Sequence, residues 1–406
     1  MGGTMRTDSD QLIAVGLGII AVLVLASVLY RPRVQQSERY QATVVPLANI
    51  MDVGFILFTP AIVLLVGVRA PFFMLGICLV AFAAGLAIAY NVRHYEPVAG
   101  DGGTPDRIEN LAEWSLLGAS VVNISYYTMV LMALVQLVFD ANSVNGRTVM
   151  GVALLAVLIV VGVSGGMDWL NRLGDRTTAF NLAAVIGVVI TFVVANVQEI
   201  LGGRWQIGPS PDLGAEQFRK MIGLFALVQG FEASRYIGVR FGAQERVSTM
   251  RVAQTISTIV FVLFTVTLLL AFLPPFPGVD QDGTAIFEVS SFIGGALPWL
   301  LMLAALGSQT SAIIGATSSR SDMLVDRQVP RKVTFPIILG PAILLVCFVD
   351  VNVAVNLASR VFSAYFIIQA LLAALLARRK RNWWAVAGFV LVALMMLTIL
   401  VFGLPL

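Results

Sequence analysis

Residues 227–236 read LVQGFEASRY and interrupt an apolar run, MIGLFALVQGFEASRYIGVRF, that covers residues 221–241. The stretch places two charged side chains, Glu232 and Arg235, among apolar neighbours. A charged side chain near the centre of a bilayer costs roughly 2.5–3.5 kcal/mol on insertion scales. Since charges at such a cost usually serve a site, this stretch indicates a functional break in a membrane-spanning segment.

The composition is that of a membrane protein. Of 406 residues 58% are hydrophobic and 12% are charged, whereas soluble domains carry about 25% charged residues. The net charge of +3 does not imply a nucleic-acid partner, because basic residues in such chains mainly set orientation. Cys78 and Cys347 lie in apolar runs and are expected to be free, buried thiols. The single histidine, His94, leaves no cluster for a histidine–cysteine metal site.

Runs of about 20 apolar residues predict about twelve transmembrane segments. Each is expected to be helical, because lipid offers no partner for backbone polar groups. The first run has no small-residue cleavage site and is interpreted as a retained helix. The predicted spans lie near residues 11–30, 45–68, 71–92, 111–139, 148–167, 178–199, 219–240, 251–273, 286–317, 333–350, 354–377 and 383–404.

The distribution of Lys and Arg supports this count. One alternating set of loops holds 18 of the 26 basic residues, the opposite set holds 6, and the other 2 lie within spans. Cytoplasmic loops carry such an excess. The bias predicts a multi-pass protein of the inner (plasma) membrane of the cell, with both termini outside the cytoplasm.

Ten spans form two groups of five with opposite orientation. The first spans of the two groups begin 174 residues apart, and the third spans begin 175 residues apart. Inverted repeats of this kind bind solute near the midplane, where the first helix of each repeat is interrupted. The chain then divides into an extra N-terminal helix with its loop, two repeats and an extra C-terminal helix: residues 1–44, 45–200, 201–377 and 378–406.

Both first helices of the repeats carry residues that disrupt a helix. Gly230 permits backbone angles that a helix excludes. Its counterpart, NIMDVGFILFTPAIVLL, contains Gly54 and Pro60, and proline removes a backbone donor and kinks a helix. We therefore expect two unwound segments that face each other, with the solute between them.

Three stretches resemble the amino acid–polyamine–organocation (APC) superfamily, which has the LeuT-type five-plus-five fold. ALVQGFEASRYIGVRFGAQERVSTMRVAQTIS, residues 226–257, resembles its sixth helix, where Gly-Phe-Glu follows an unwound segment. ATSSRSDMLVDRQVPRK, residues 316–332, resembles the end of its eighth helix. DVGFILFTPAIVL, residues 52–64, resembles its first helix, with one glycine where the family has two. The resemblance implies secondary transport of a small polar organic solute, an amino acid or organic amine, coupled to sodium or protons.

The candidate solute-binding residues come from the two breaks and from the third helix of the first repeat. Asp52 is expected to hold a cationic group or a proton; the alternatives are that it caps a helix fragment or pairs with Arg360. The tyrosines would line the cavity or bond to neighbouring helices. The full set is Asp52, Gly54, Phe55, Asn123, Tyr126, Tyr127, Gln229, Gly230, Phe231 and Glu232.

Three charged residues within spans form a candidate gating or charge network: Glu232, Arg235 and Arg360. Glu232 and Arg235 are three residues apart on a helix, so a local ion pair is the simple alternative. For Arg360, a structural network and a contact with the solute both remain open.

The stretch GSQTSAIIGATSSRSD, residues 307–322, provides a possible sodium site at Ser308, Thr310 and Ser311. In sodium-coupled members of the resembled fold, hydroxyls of this helix join carbonyls of the first helix around sodium, and such oxygens suit hard cations. Close helix packing is the alternative. Proton coupling is the rival, although residues 178–199 lack the lysine that some proton-coupled relatives use. No other cofactor is expected.

The main hypothesis is a transporter in the lipid bilayer with a small-molecule substrate. The alternative is a non-transporting receptor or a partner-docking subunit built on a transporter fold. In either case the extra helix 11–30 would serve for homo-oligomer formation or for a partner subunit. An enzyme is not expected, since the sequence shows no nucleophile–base pair and no phosphate-binding glycine loop.

Overall fold

The computed structural model describes residues 8–52, 54–138, 144–203, 211–238, 240–271 and 285–405. These residues are almost wholly helical and contain no strand, as the all-α prediction requires. Two 3₁₀ segments, Phe225–Val228 and Phe231–Ile237, follow α9. The α-helices are α1 (Asp8–Leu29), α2 (Pro32–Gln35), α3 (Glu38–Ile50), α4 (Gly54–Val66), α5 (Ala70–His94), α6 (Thr104–Val138), α7 (Val144–Val163), α8 (Met167–Leu201), α9 (Ala215–Ile222), α10 (Ala243–Ala271), α11 (Ala285–Ile293), α12 (Leu297–Asp326), α13 (Arg331–Phe348), α14 (Val351–Arg379) and α15 (Trp383–Phe402).

Ten helical stretches within the described ranges are long and apolar enough to cross a membrane. Two predicted spans, 45–68 and 219–240, are each divided into shorter helical pieces at the positions where the sequence indicated a break. The count of about twelve spans, the inverted orientation of the halves and the side of the membrane on which the termini lie stay predictions.

Four details of the sequence prediction are wrong. The span 286–317 is two helices, α11 and α12, because Gly294–Ala296 interrupt it and the new helix begins with a proline in its first turn. Because of this interruption, the third spans of the two groups do not begin 175 residues apart as predicted. Residues 168–177 belong to α8 and not to a loop, since a helix can continue past its apolar part. Both cysteines are free, but Cys347 is exposed.

The two groups of five pack against each other. The first group is α3 with α4, then α5, α6, α7 and α8; the second is α9 with the two 3₁₀ segments, then α10, α12, α13 and α14. The third helix of each group packs against the fifth helix of the other, α6 on α14 and α12 on α8. The two second helices, α5 and α10, pack together, as do the two fourth helices, α7 and α13. A two-fold arrangement of the halves predicts these contacts, and they enclose the interrupted helices.

Aromatic contacts anchor the chain after each break. Phe55 follows the first break, and its ring centroid lies 4.2 Å from that of Phe261 on α10. Phe231 follows the second break and stacks at 5.0 Å on Phe366 of α14. Phe55 and Phe231 are fully buried, so burial of large apolar rings offsets part of the cost of the unwound backbone.

Helix α1 lies outside the five-plus-five arrangement and runs along α8. Gly18 and Gly187 face each other, because a Cβ atom added to either would lie 3.0 Å from the carbonyl oxygen of the other. Small residues allow membrane helices to approach this closely. The remaining surface of α1 is apolar and suited to lipid, with exposed Leu12, Ile13, Leu17, Ile20, Leu23 and Val24.

Gly18→Val is expected to lower the free energy of unfolding by about 1–3 kcal/mol, the range for an overpacked interface. The added side chain would meet Thr191 Oγ1 and the Gly187 carbonyl. Chemical denaturation in detergent measures the change. Gly16→Val is the matched control, because no atom lies within 4 Å of its added Cβ. Equal stability of the two variants would show that α1 does not depend on this contact.

Candidate functional site

The first break separates α3 from α4, and Asp52 caps the new helix. Met51 leaves the helical conformation, with φ −90° and ψ 42°. The buried Asp52 carboxylate accepts the backbone N–H of Gly54 at 2.8 Å, and that of Phe55 as well. These are orphan amides of a helix start, where a negative charge is favourable. The predicted alternative of a helix cap is therefore present, and a pair between Asp52 and Arg360 is not.

Helix α6 supports this carboxylate from the side. The Tyr127 hydroxyl lies beside the Asp52 carboxylate, and the Asn123 amide one turn earlier lies beside the Tyr127 hydroxyl. The Tyr126 hydroxyl packs against Gly54, because a Cβ atom added to Gly54 would lie 2.5 Å from the hydroxyl oxygen. This hydroxyl has no hydrogen-bond partner among the described residues. The sequence prediction thus selected residues that lie together at the first break.

The second break lies between the two 3₁₀ segments. Gln229 is extended, with ψ 177°, and Gly230 is left-handed, with φ +117°. Only glycine adopts that conformation without strain. The buried Glu232 carboxylate accepts the Gly230 N–H at 2.8 Å. Each break therefore has a glycine whose amide donates to a carboxylate two residues away.

The two breaks touch. A Cβ atom on Gly230 would lie 2.6 Å from the carbonyl carbon and oxygen of Asn49, and 2.8 Å from the nitrogen of Ile50. The backbone at Gly230 consequently rests on the last peptide of α3. No side chain fits between them, which makes this contact the centre of the site.

Little space remains beside the contact. A cavity of about 10 Å³ lies next to it, which is enough for about one water molecule. Its walls come from α3, α5, the first 3₁₀ segment and α10: Ile50, Cys78, Ala81, Val228, Gln254, Ser257, Thr258 and Phe261. A larger solute therefore requires the surrounding helices to separate.

Arg235 belongs to a buried charge cluster formed by Asn91, Glu109, Arg235 and Gln369. Its Nη2 lies 2.9 Å from Glu109 Oε1, and both side chains are more than nine-tenths buried. Gln369 accepts from Arg235 and from Asn91 Nδ2, and its Nε2 donates to Glu109 Oε2 at 3.0 Å. The simple alternative, a local pair of Arg235 with Glu232, is not found, because Arg235 pairs with Glu109 and Glu232 caps the break.

A second arginine holds the end of the interrupted helix. The buried Arg246 donates to the carbonyl oxygens of Arg235, at 2.8 Å, and of Phe241, at 3.0 Å. It also pairs with Glu96. Cations near a helix C-terminus are favourable, so this contact fixes the segment that carries Arg235.

Arg360 lies elsewhere and binds the clasp, our name for residues Phe402–Leu404. Its Nη2 donates to the Gly403 carbonyl at 2.7 Å. The Leu404 N–H donates to the Arg219 carbonyl at 2.9 Å, and Arg219 Nε donates back to Phe402 at 3.0 Å. The clasp thus joins α9 to α14. Glu232, Arg235 and Arg360, predicted to form one network, each make a separate contact: with Gly230, with Glu109 and with Gly403.

The hydroxyls of the possible sodium site do not share one face of α12. Ser308 is buried, but Thr310 is exposed and donates to the Leu306 carbonyl of its own helix. Ser311 is half-buried. Between them Gln309 is fully buried, and neither atom of its amide has a partner. The sequence prediction did not include Gln309, although this residue directly precedes Thr310, which it did include.

Other members of the site were missed for a simple reason. Glu109 fell in the predicted loop 93–110, whereas α6 begins at Thr104. An acidic residue just ahead of an apolar run is an available signal, but its partner Arg235 is remote in sequence. Groups of three or more His, Cys, Asp or Glu residues that suit a metal are absent from the described part of the chain.

Comparisons with known proteins show the family through one family model and the fold through similar solved structures. A family model described as an APC superfamily transporter matches residues 32–403. An uncharacterized protein of Aquifex aeolicus (strain VF5) is 25% identical over 384 residues, which cover 92% of each chain. The crystal structure of MhsT in complex with L-phenylalanine is similar with a TM-score of 0.60, at 11% identity, over 91% of this chain and 99% of that one. An Eremococcus coleocola manganese transporter, in complex with an aromatic bis-isothiourea substituted compound, gives a TM-score of 0.50 at 15% identity, over 88% and 85%.

Proposed function

Since the chain belongs to the APC superfamily of transporters and has a LeuT-type fold, we propose that it is a secondary active transporter of an amino acid or organic amine. It works by alternating access and is driven by sodium ions or protons. The observation that supports this most strongly is the contact of two broken helices, each with a buried carboxylate at the break.

The charge at the breaks favours a solute with an ammonium group. Asp52 and Glu232 are both buried, and neither forms an ion pair with any residue that the structure describes. Two further polar atoms, the Tyr126 hydroxyl and Gln229 Oε1, are buried without a partner. Buried polar groups normally have partners, and a bound solute would supply them.

Two sets of contacts would alternate in such a cycle. The buried charge cluster includes Gln369, and the clasp binds Arg360. These two residues are nine positions apart on α14, about 13 Å along the helix. Opening toward one end would separate the charge cluster, and opening toward the other would separate α9 from the clasp.

Asp52→Asn and Glu232→Gln are each expected to reduce solute uptake at least tenfold without loss of expression. A charged hydrogen bond contributes about 1.5–3 kcal/mol, and about 1.4 kcal/mol corresponds to a factor of ten. Uptake of labelled solute into proteoliposomes measures the effect. Glu216→Gln, which alters an exposed pair with Lys220, is the control. Normal uptake by both test variants would remove these acids from the mechanism.

The substrate class and the driving ion are tested by thermal stabilisation of the purified protein. Amino acids, amines and nucleobases are compared, each in sodium and in potassium at two pH values. Ligand at 100 times its Kd stabilises by about 2.7 kcal/mol. A hit that needs sodium identifies the ion. A stoichiometric partner that co-purifies with the protein, together with no stabilisation by any solute, would instead favour the receptor or docking subunit.

A further inference from the structure

Arg320 is a buried cation without a counter-ion among the residues that the structure describes. Three arginines among the described residues are buried: Arg235, Arg246 and Arg320. The first two pair with Glu109 and Glu96. Arg320, 8% exposed, forms no ion pair within the described part of the chain. A buried charge without a partner is strongly unfavourable, so a bound anionic group would stabilise Arg320.

The guanidinium group keeps unused hydrogen-bond capacity. The Arg320 Cζ atom lies 5.3 Å from the centre of the Tyr236 ring, which packs against one face of the guanidinium plane. Nη1 has only a weak contact of 4.0 Å with the Met323 sulfur, and Nε has no partner. The planar donor fork of arginine matches a carboxylate, which it can bind through two hydrogen bonds. The unused donors of Arg320 therefore suit a carboxylate ligand.

A buried negative charge lies close by on the neighbouring element. Tyr236, which Arg320 covers, stands four residues after Glu232 in the same 3₁₀ segment. Glu232 and Arg320 thus carry opposite charges on two elements that touch at Tyr236, and they do not form an ion pair with each other. Two such charges provide the poles that a zwitterion requires.

The other anion-binding groups of the site are occupied. The backbone amides at the start of α4 donate to Asp52, and the Gly230 amide donates to Glu232. A solute carboxylate brought there would displace these acids or be repelled by them. Among the described residues, Arg320 is a buried cation that no carboxylate pairs with.

We infer that Arg320 binds the carboxylate of an amino-acid solute whose ammonium group lies at Glu232. This assignment rests on the proposed function and narrows it, because amines without a carboxylate would use only half of the site. It gives α12 a role in substrate selection. Tyr236 is a positioning residue that holds the guanidinium plane.

The test compares amino acids with their decarboxylated amines. Thermal stabilisation of the full chain is titrated with L-alanine, L-leucine and L-phenylalanine, and with ethylamine, 3-methylbutylamine and 2-phenylethylamine. Arg320→Gln should weaken amino-acid binding about 10- to 100-fold, the range for a charged hydrogen-bonded pair, and leave amine binding unchanged. Arg320→Lys should recover part of the loss. Arg331→Gln, at an exposed ion pair, should change neither, and chloride titration excludes a simple anion site.

Each outcome decides the inference. Equal binding of amino acids to the wild type and to Arg320→Gln overturns the role of Arg320 and leaves the transporter proposal intact. Loss of amine and amino-acid binding together also overturns it, because the effect would then be structural. Stabilisation of the wild type by chloride at the same Arg320-dependent site overturns the carboxylate assignment. No stabilisation by any amino acid in the wild type overturns both the inference and the proposed substrate class.

Discussion

Gly230→Ala is expected to abolish solute uptake. Gly230 has φ +117°, and its added Cβ would lie 2.6 Å from the backbone of Asn49. Backbone strain of this kind costs about 1–3 kcal/mol, and the clash cannot be relieved by a side-chain rotation because the atoms that the Cβ meets are backbone atoms of Asn49 and Ile50. The two broken helices would have to separate. Uptake into proteoliposomes and the unfolding temperature in detergent measure the two consequences.

The control for this substitution is Gly315→Ala on α12. No atom lies within 4 Å of the Cβ that it would add, and alanine is the better residue inside a helix. It should keep full uptake. Wild-type uptake by Gly230→Ala would mean that the contact between the breaks is not required for transport.

Glu109→Gln is expected to cause the largest loss of stability, about 3–5 kcal/mol, because it leaves the Arg235 cation buried without a counter-ion. Glutamine keeps the shape of the side chain, so the change isolates the charge. Denaturant unfolding in detergent measures it. Transport should fall as well, since Arg235 follows the second break by only five residues.

A double variant separates the ion pair from general damage. Glu109→Leu with Arg235→Met removes both charges, and apolar replacement of a buried pair is often neutral. It should be more stable than either single variant. Asp322→Asn, at an exposed pair with Arg331, is the surface control and should change stability by at most about 1 kcal/mol. If Glu109→Gln were as mild as this control, the buried charge cluster would not stabilise the fold.

The sequence was informative about the features that depend on local chemistry. Asp52 was selected as an acid inside an apolar run, and Gly54 and Gly230 because glycine permits backbone angles that a helix excludes; the structure breaks at both places. The apolar runs located most helices for a similar reason, since lipid demands about 20 apolar residues in succession. The APC family and its fold, inferred by resemblance, are confirmed.

What depends on distant contacts was not predictable. Arg235 follows an acid, Glu232, by three residues, and nothing in the neighbouring sequence indicates that Arg235 pairs with Glu109 on another helix. Hydropathy also could not separate α11 from α12, because both are apolar and only the short interruption at Gly294–Ala296 divides them. That Arg320 forms no ion pair with the described residues is visible only when every neighbouring helix is in place.

The clasp has a mechanical consequence for the last helix. Two hydrogen bonds join Arg219 to Phe402 and Leu404, and a third joins Arg360 to Gly403. Each contributes about 1 kcal/mol, and a Cβ on Gly223 would lie 2.0 Å from the Leu404 oxygen, so the chain crossing is tight. A tilt of α9 must either break these links together or pull α15 along with it. The terminal helix α15 is thus mechanically coupled to α9, the first piece of the second broken helix, and should be displaced whenever α9 tilts.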